Sequence, residues 1–225
     1  MGRTPWTIDR QMFLSVEETA GLLAHVRRAG RSGQPQALVD ALIVESLLFS
    51  GLRTSEFCEL RVADTVIGSG QSCFVVRGRR GADRTVYVPQ RVSEAVLRYV
   101  ERVRPQFLPE RVRADDRNQP LVFNEHRRPY ERTGLYRRVV RILTEAGLGQ
   151  RASVQLLRHT YGYLAYLRTG GNLLFVQRQL GHAHPMVTSI YAQFVEEPYS
   201  ELADRVAGAA ISSDANVRRR IGARP

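Results

Sequence analysis

QLLRHTYGYLAYLRTGGNLLFVQRQLGHAHPMVTSIY, residues 155–191, is the stretch from which the rest of the chain can be read. Leu157, Tyr161, Leu164 and Ala165 recur at helical spacing and make an apolar stripe for a core. Gln155, Arg158, His159 and Gly162 share a neighbouring face at i, i+3, i+4 and i+7. Hydrogen-bonding groups thus gather around a residue without Cβ, which predicts the close approach of another backbone. Thr169-Gly170-Gly171 stops this helix, and a second apolar run, 173–180, stops at Gly181-His182. Pro185 opens a further short helix, and Tyr191 comes nine residues after His182. The pattern predicts an arginine, a histidine and a tyrosine, delivered by three short helices, around one phosphate.

On the N-terminal side, Ser15 and Glu18 form a capping box that opens a helix through about Arg28. A strongly apolar helix over 36–50 ends at Gly51, and Arg53 follows at once. Thr54 or Ser55 is expected to cap the next helix, 56–60. Between Asp64 and Pro89 the period changes to two, so 73–77 and 84–88 read as paired strands and 64–67 as an edge strand. A helix over 92–103, a Pro- and Arg-rich loop over 104–120, a basic helix over 131–146 and a last helix over 198–210 complete the reading. The expected fold is α+β, mainly α, with a small antiparallel sheet on one edge. Residues 1–12 read as an arm, 13–210 as one domain, and 211–225 as a basic, disordered tail.

Taken alone, Arg53 in GLRTSEFCEL (51–60) reads as an ion-pair partner for Glu56, Arg158 as a solvated helix residue, and Tyr191 as a packing residue. Together, the two arginine boxes, the GH pair and the spaced tyrosine resemble the tyrosine recombinase (integrase) family. The boxes stand in the family's order, roughly one hundred residues apart. The resemblance covers about residues 13–210 and implies the family's helical catalytic domain. It implies that Arg53, oriented by Glu56, and Arg158 clamp a phosphodiester bidentately, and that Tyr191 attacks phosphorus to form a 3′-phosphotyrosine. His182 would donate a hydrogen bond to the phosphate or nucleophile, with His159 as structural support.

Two positions depart from the family's pattern. Gln155 stands where histidine is usual, and glutamine hydrogen-bonds but cannot exchange a proton at neutral pH. Arg79 stands at the strand-turn position usually held by lysine, and a guanidinium gives up its proton poorly. Proton transfer is therefore expected to be impaired or differently organised. The resemblance implies double-stranded DNA as partner, a tetramer on two duplexes, and room for an accessory DNA-bending protein. It requires neither metal nor cofactor, and His182 and His184 have no cysteine or carboxylate nearby at ligand spacing. Only about a dozen residues precede the matching region, an arrangement closer to the short invertases of fimbrial type than to two-domain relatives. A type IB topoisomerase and a DNA-binding descendant that no longer turns over remain as alternatives.

Composition agrees with a DNA partner. Net charge is +11, and all 33 basic residues are arginine. Arg77, Arg79, Arg80 and Arg84 on the strands, with Arg132, Arg137 and Arg138 on the basic helix, are expected to meet backbone phosphates. Cys58 and Cys73 read as reduced core thiols. No apolar run approaches the ~18 residues of a membrane span, and no secretory leader is visible. The expected location is the cytoplasm, at the nucleoid.

Overall fold

The computed structural model describes residues 8–195 except Ser69, Arg79, Arg80 and Pro185, and gives only the backbone of Met186 and Val187. The expected last helix and basic tail lie outside the described residues. Helix α2 (Pro35–Ser50) is the centre of the fold. Val39, Ile43, Val44, Leu47 and Leu48 are buried on successive faces, so the helix is apolar all round and needs neighbours on every side. It packs against α1 (Val16–Gly30), α4 (Gln90–Arg98), α5 (Arg132–Glu145) and α6 (Val154–Arg168). Proline at the first helical turn suits its missing N–H. At the other end Gly51 turns the chain with φ of 64°. A Cβ there would lie 2.5 Å from Tyr161 and 2.7 Å from Leu180, so only glycine fits this corner.

Helix α1 starts where the capping box predicts: Ser15 Oγ accepts from the Glu18 amide, and the Glu18 carboxylate accepts from the Ser15 amide. Helix α3 (Thr54–Glu59) begins two residues earlier than expected. Thr54 lies inside it, and Arg53 occupies the cap position. The Glu56 carboxylate accepts the Arg53 amide at 2.7 Å, so the acid supplies the cap that Thr54 or Ser55 was expected to give.

Strands β1 (Thr65–Val66), β2 (Cys73–Val76) and β3 (Arg84–Tyr87) form an antiparallel sheet in that order. Pairing Phe74 with Val86 and Val76 with Arg84 turns Phe74, Val76 and Val86 to the core. Helix α7 (Leu173–Leu180) packs on β3 through buried Gln179. Its side-chain amide accepts from the Tyr87 N–H at 3.0 Å and donates to the Tyr87 carbonyl at 3.2 Å, like one residue of an added strand.

The helix expected over 92–103 gives way at Tyr99 to a wide π turn, followed by a 3₁₀ turn over Arg104–Phe107. Arg104, expected in a surface loop, is among the most buried side chains. Its guanidinium donates to the carbonyls of Pro120 and Leu121 and lies 5.3 Å from the Phe123 ring centre, which offsets the desolvation of its charge.

Candidate active site

Arg53 leaves the Gly51 corner and reaches in two directions. One Nη donates to Glu56 at 2.8 Å and the other to the Gly181 carbonyl at 3.2 Å. Its side chain is 46% exposed, which leaves it open to an anion. The i+3 ion pair expected from the sequence therefore exists, and it belongs to the site. Arg84 joins the same carboxylate from the first position of β3. Its two Nη atoms donate to the two Glu56 oxygens at 2.8 Å each. Burial alone would raise the Glu56 carboxyl, but hydrogen bonds from Arg84 and the Arg53 amide outweigh that and hold it at about 2.

Arg158 is buried on α6 and not solvated. One Nη donates to the Gly51 carbonyl and the other to the Leu180 carbonyl at 2.7 Å. These are the C-terminal carbonyls of α2 and the end of α7, so one guanidinium pins two helix ends together. Burial, and then repulsion from Arg53, lower its pKa to about 10, which leaves it charged at neutral pH. Arg53 and Arg158 thus hold consecutive carbonyls, Gly181 and Leu180, immediately before His182. Gly181 has φ of 63°, and a Cβ there would lie 2.8 Å from the Arg84 guanidinium.

His182 faces this cationic group and its Nδ1 lies 3.0 Å from Thr188 Oγ1. Burial, followed by the charges of Arg158 and Arg53, lowers it to about 4, so it is neutral at physiological pH. Tyr191 is 1% exposed. Its ring lies against Gly162, where a Cβ would be 2.2 Å from the ring's Cζ. The missing Cβ on α6 therefore admits a tyrosine side chain, not the backbone expected from the sequence. The Tyr191 hydroxyl is 3.1 Å from His159 Nδ1. Burial pushes its phenol up to about 12, only partly opposed by Arg158.

Arg53, Glu56, Arg158, His159, His182 and Tyr191 are thus brought together, with Arg84 among them. Gln155 is exposed at the start of α6 and makes no side-chain hydrogen bond among the described residues. Arg79 and Arg80 lie outside the described residues. The expected DNA-contact arginines divide. Arg132 and Arg137 are exposed and carry no ion pair among the described residues. Arg77 is half-exposed but bonded to Asp64 at 2.9 Å. Arg84 is committed to Glu56. Arg138 is 11% exposed and holds Asp40 at 2.6 Å, Glu125 at 3.1 Å and the Tyr130 hydroxyl at 2.7 Å. Those partners neutralise it and tie α5 to α2, which gives it a packing role.

The phage integrase family matches residues 12–197. The chain belongs to that family. Tyrosine recombinase XerA of Pyrococcus furiosus is 32% identical over 169 residues, covering 74% of this chain and 54% of XerA. Tyrosine recombinase XerH of Helicobacter pylori is 26% identical over 191 residues, covering 84% of this chain and 50% of XerH. The crystal structure of XerH bound to palindromic difH substrate superposes with a TM-score of 0.70 over 85% of this chain and 52% of that one, at 24% identity. That likeness establishes the fold: a mainly helical recombinase catalytic domain with a small antiparallel sheet. The chain spans about half the length of the curated relatives it matches. No helix among the described residues is long and apolar enough to cross a membrane.

Proposed function

We propose that the chain cuts and rejoins double-stranded DNA at specific sites through a covalent 3′-phosphotyrosine at Tyr191. The observation that carries this reading is the seating of Arg53 and Arg158 on the consecutive carbonyls of Gly181 and Leu180, beside His182. Two guanidiniums held by fixed carbonyls need no reorganisation when charge develops on the phosphate oxygens. Glu56 and Arg84 hold the outer arginine in place, and His182, being neutral, offers an N–H to a phosphate oxygen. Relatives named as recombinases, and the similar fold of the Tn1549 transposon integrase crystallised with circular intermediate DNA, support DNA as the partner. Assembly as a tetramer on two duplexes belongs to the same proposal.

Arg79 at the lysine position would stabilise the departing 5′-oxygen but leave its protonation to water, which is slow. The test is a nicked duplex that loses its 5′ fragment on cleavage and so traps the intermediate. The chain should form an adduct that survives denaturation and maps to Tyr191, and Tyr191→Phe should form none. Arg53→Ala should lose cleavage about 10²-fold or more while binding stays within about tenfold, because its contribution lies in the transition state. Sulfur in place of the bridging oxygen needs no proton to leave and should speed the step. Tight binding without any adduct would make the chain a DNA-binding descendant.

A further inference from the structure

The geometry points to His159 as the proton acceptor for Tyr191, replacing a base that Gln155 cannot provide. The inference rests on the recombinase reading of the site. Four observations meet at this pair. The Tyr191 hydroxyl lies 3.1 Å from His159 Nδ1, within the reach a general base requires. The phenol is 1% exposed, so bulk water does not supply a base to it. The second site histidine has its own Nδ1 engaged with Thr188 Oγ1 at 3.0 Å. Gln155, one helical turn before His159 on α6, carries an amide that hydrogen-bonds but does not take up a proton at neutral pH.

The charged and titratable groups facing His159 favour its neutral form. Burial lowers its pKa, and Arg158 on the same helix lowers it further. His182, after α7, is itself neutral at physiological pH. Tyr191 remains protonated, since burial raises it to about 12. A neutral imidazole with its proton on Nε2 presents the Nδ1 lone pair to the Tyr191 O–H. Gly162 makes this approach possible, because any Cβ at that position would occupy the ring's place.

In the step, the Tyr191 proton moves to His159 Nδ1 as the phenolic oxygen bonds to phosphorus. The bond from phosphorus to the 5′-oxygen breaks, and that oxygen leaves with the electron pair and takes a proton from water. On rejoining, the 5′-hydroxyl attacks phosphorus and loses its proton to water. The phenolate leaves and recovers its proton from the His159 imidazolium. No oxidant, metal or nucleotide enters the balance.

The experiment is single-turnover cleavage of the nicked duplex by the full chain across pH 5 to 9. The rate should be flat at high pH and fall about tenfold per unit once His159 protonates, below the ordinary histidine value of ~6.5. His159→Gln keeps a hydrogen-bonding side chain but no proton acceptor. It should lose about 10²–10⁴-fold in cleavage, and the acidic limb with it, while DNA affinity is unchanged. A trifluorotyrosine at position 191, whose phenol is more acidic than tyrosine's in the same surroundings and so depends less on a base, should restore part of that loss. Wild-type rate and pH profile in His159→Gln would overturn the proposal and leave the recombinase reading standing. Should that variant not fold, trifluorotyrosine in the otherwise unchanged chain decides: a rate that keeps the same histidine limb overturns the proposal, and loss of the limb supports it. Failure of the unchanged chain to form any adduct at any pH overturns both readings.

Discussion

Three guanidinium groups, those of Arg53, Arg84 and Arg158, lie around one carboxylate, Glu56, which accepts directly from the first two. Glu56→Gln keeps the shape, removes the negative charge that pairs with this group among the described residues, and leaves Arg84 without its two-pronged partner. Cleavage should fall at least ~30-fold, about 2 kcal/mol, because a partly buried charged pair has lost one member. The carboxyl also sets an acid dependence. Its folded pKa, about 2, is below the ordinary 4.5, so its stabilisation is complete above 4.5 and is lost as pH falls towards 2. The buried histidines act at higher pH. His182 titrates at about 4 in the fold, against 6.5 ordinarily, so the unfolded chain binds more protons between those values and stability falls as pH drops from 6.5 to 4. Melting curves should therefore show two successive losses on acidification, and Glu56→Gln should remove the lower one alone. Persistence of the lower loss in the variant would mean that Glu56 is not held as described.

At the scale of elements, α6 carries a glycine in its interior, which costs roughly 1 kcal/mol of helix stability relative to alanine. Gly162→Ala would recover that amount but drive a methyl into the Tyr191 ring. Expelling a buried aromatic side chain costs about 1.5–3 kcal/mol, so the second effect wins and the variant should melt at lower temperature. The phenol, no longer buried, should titrate back towards 10, a shift that ultraviolet difference spectra of the chain and of Tyr191→Phe would isolate. A more stable variant with an unshifted phenol would show that α6 and the Tyr191 segment are not packed as observed.

Over the whole molecule, not all of the 33 arginines are free cations at the surface. Arg27, Arg77, Arg113, Arg138 and Arg141 are engaged with carboxylates. About six phosphate contacts would still give a log–log slope of affinity against salt near −5. Arg132→Ala and Arg137→Ala should each make that slope shallower by about one and weaken all sequences alike. Arg138→Ala should instead leave Asp40 half-buried with one partner fewer and lower the melting temperature, with the slope unchanged. A slope shallower than about −2 in the unsubstituted chain, or one altered chiefly by Arg138→Ala, would show that the positive charge has been assigned to the wrong surface.

Much of this molecule is written in neighbours along the chain. The Ser15–Glu18 cap, the glycine stops, the change of period at the strands and the two arginine boxes each depend on residues within a turn or two of one another. Such patterns report local backbone geometry directly, and together with the family resemblance they carry they pointed to Arg53, Arg158, His182 and Tyr191 as one site. The use of the other arginines was not legible in the same way. A guanidinium fork fits a phosphate and a carboxylate equally well. Whether Arg84 meets DNA or Glu56, 28 residues away, depends on which surfaces packing brings together. The same holds for Arg138, whose partner Asp40 is 98 residues away, and for Arg104, buried on the carbonyls of Pro120 and Leu121. Gly162 announced a close approach, but only the packed chain decided that the approaching group is the ring of Tyr191, because a missing Cβ records available space and not its occupant.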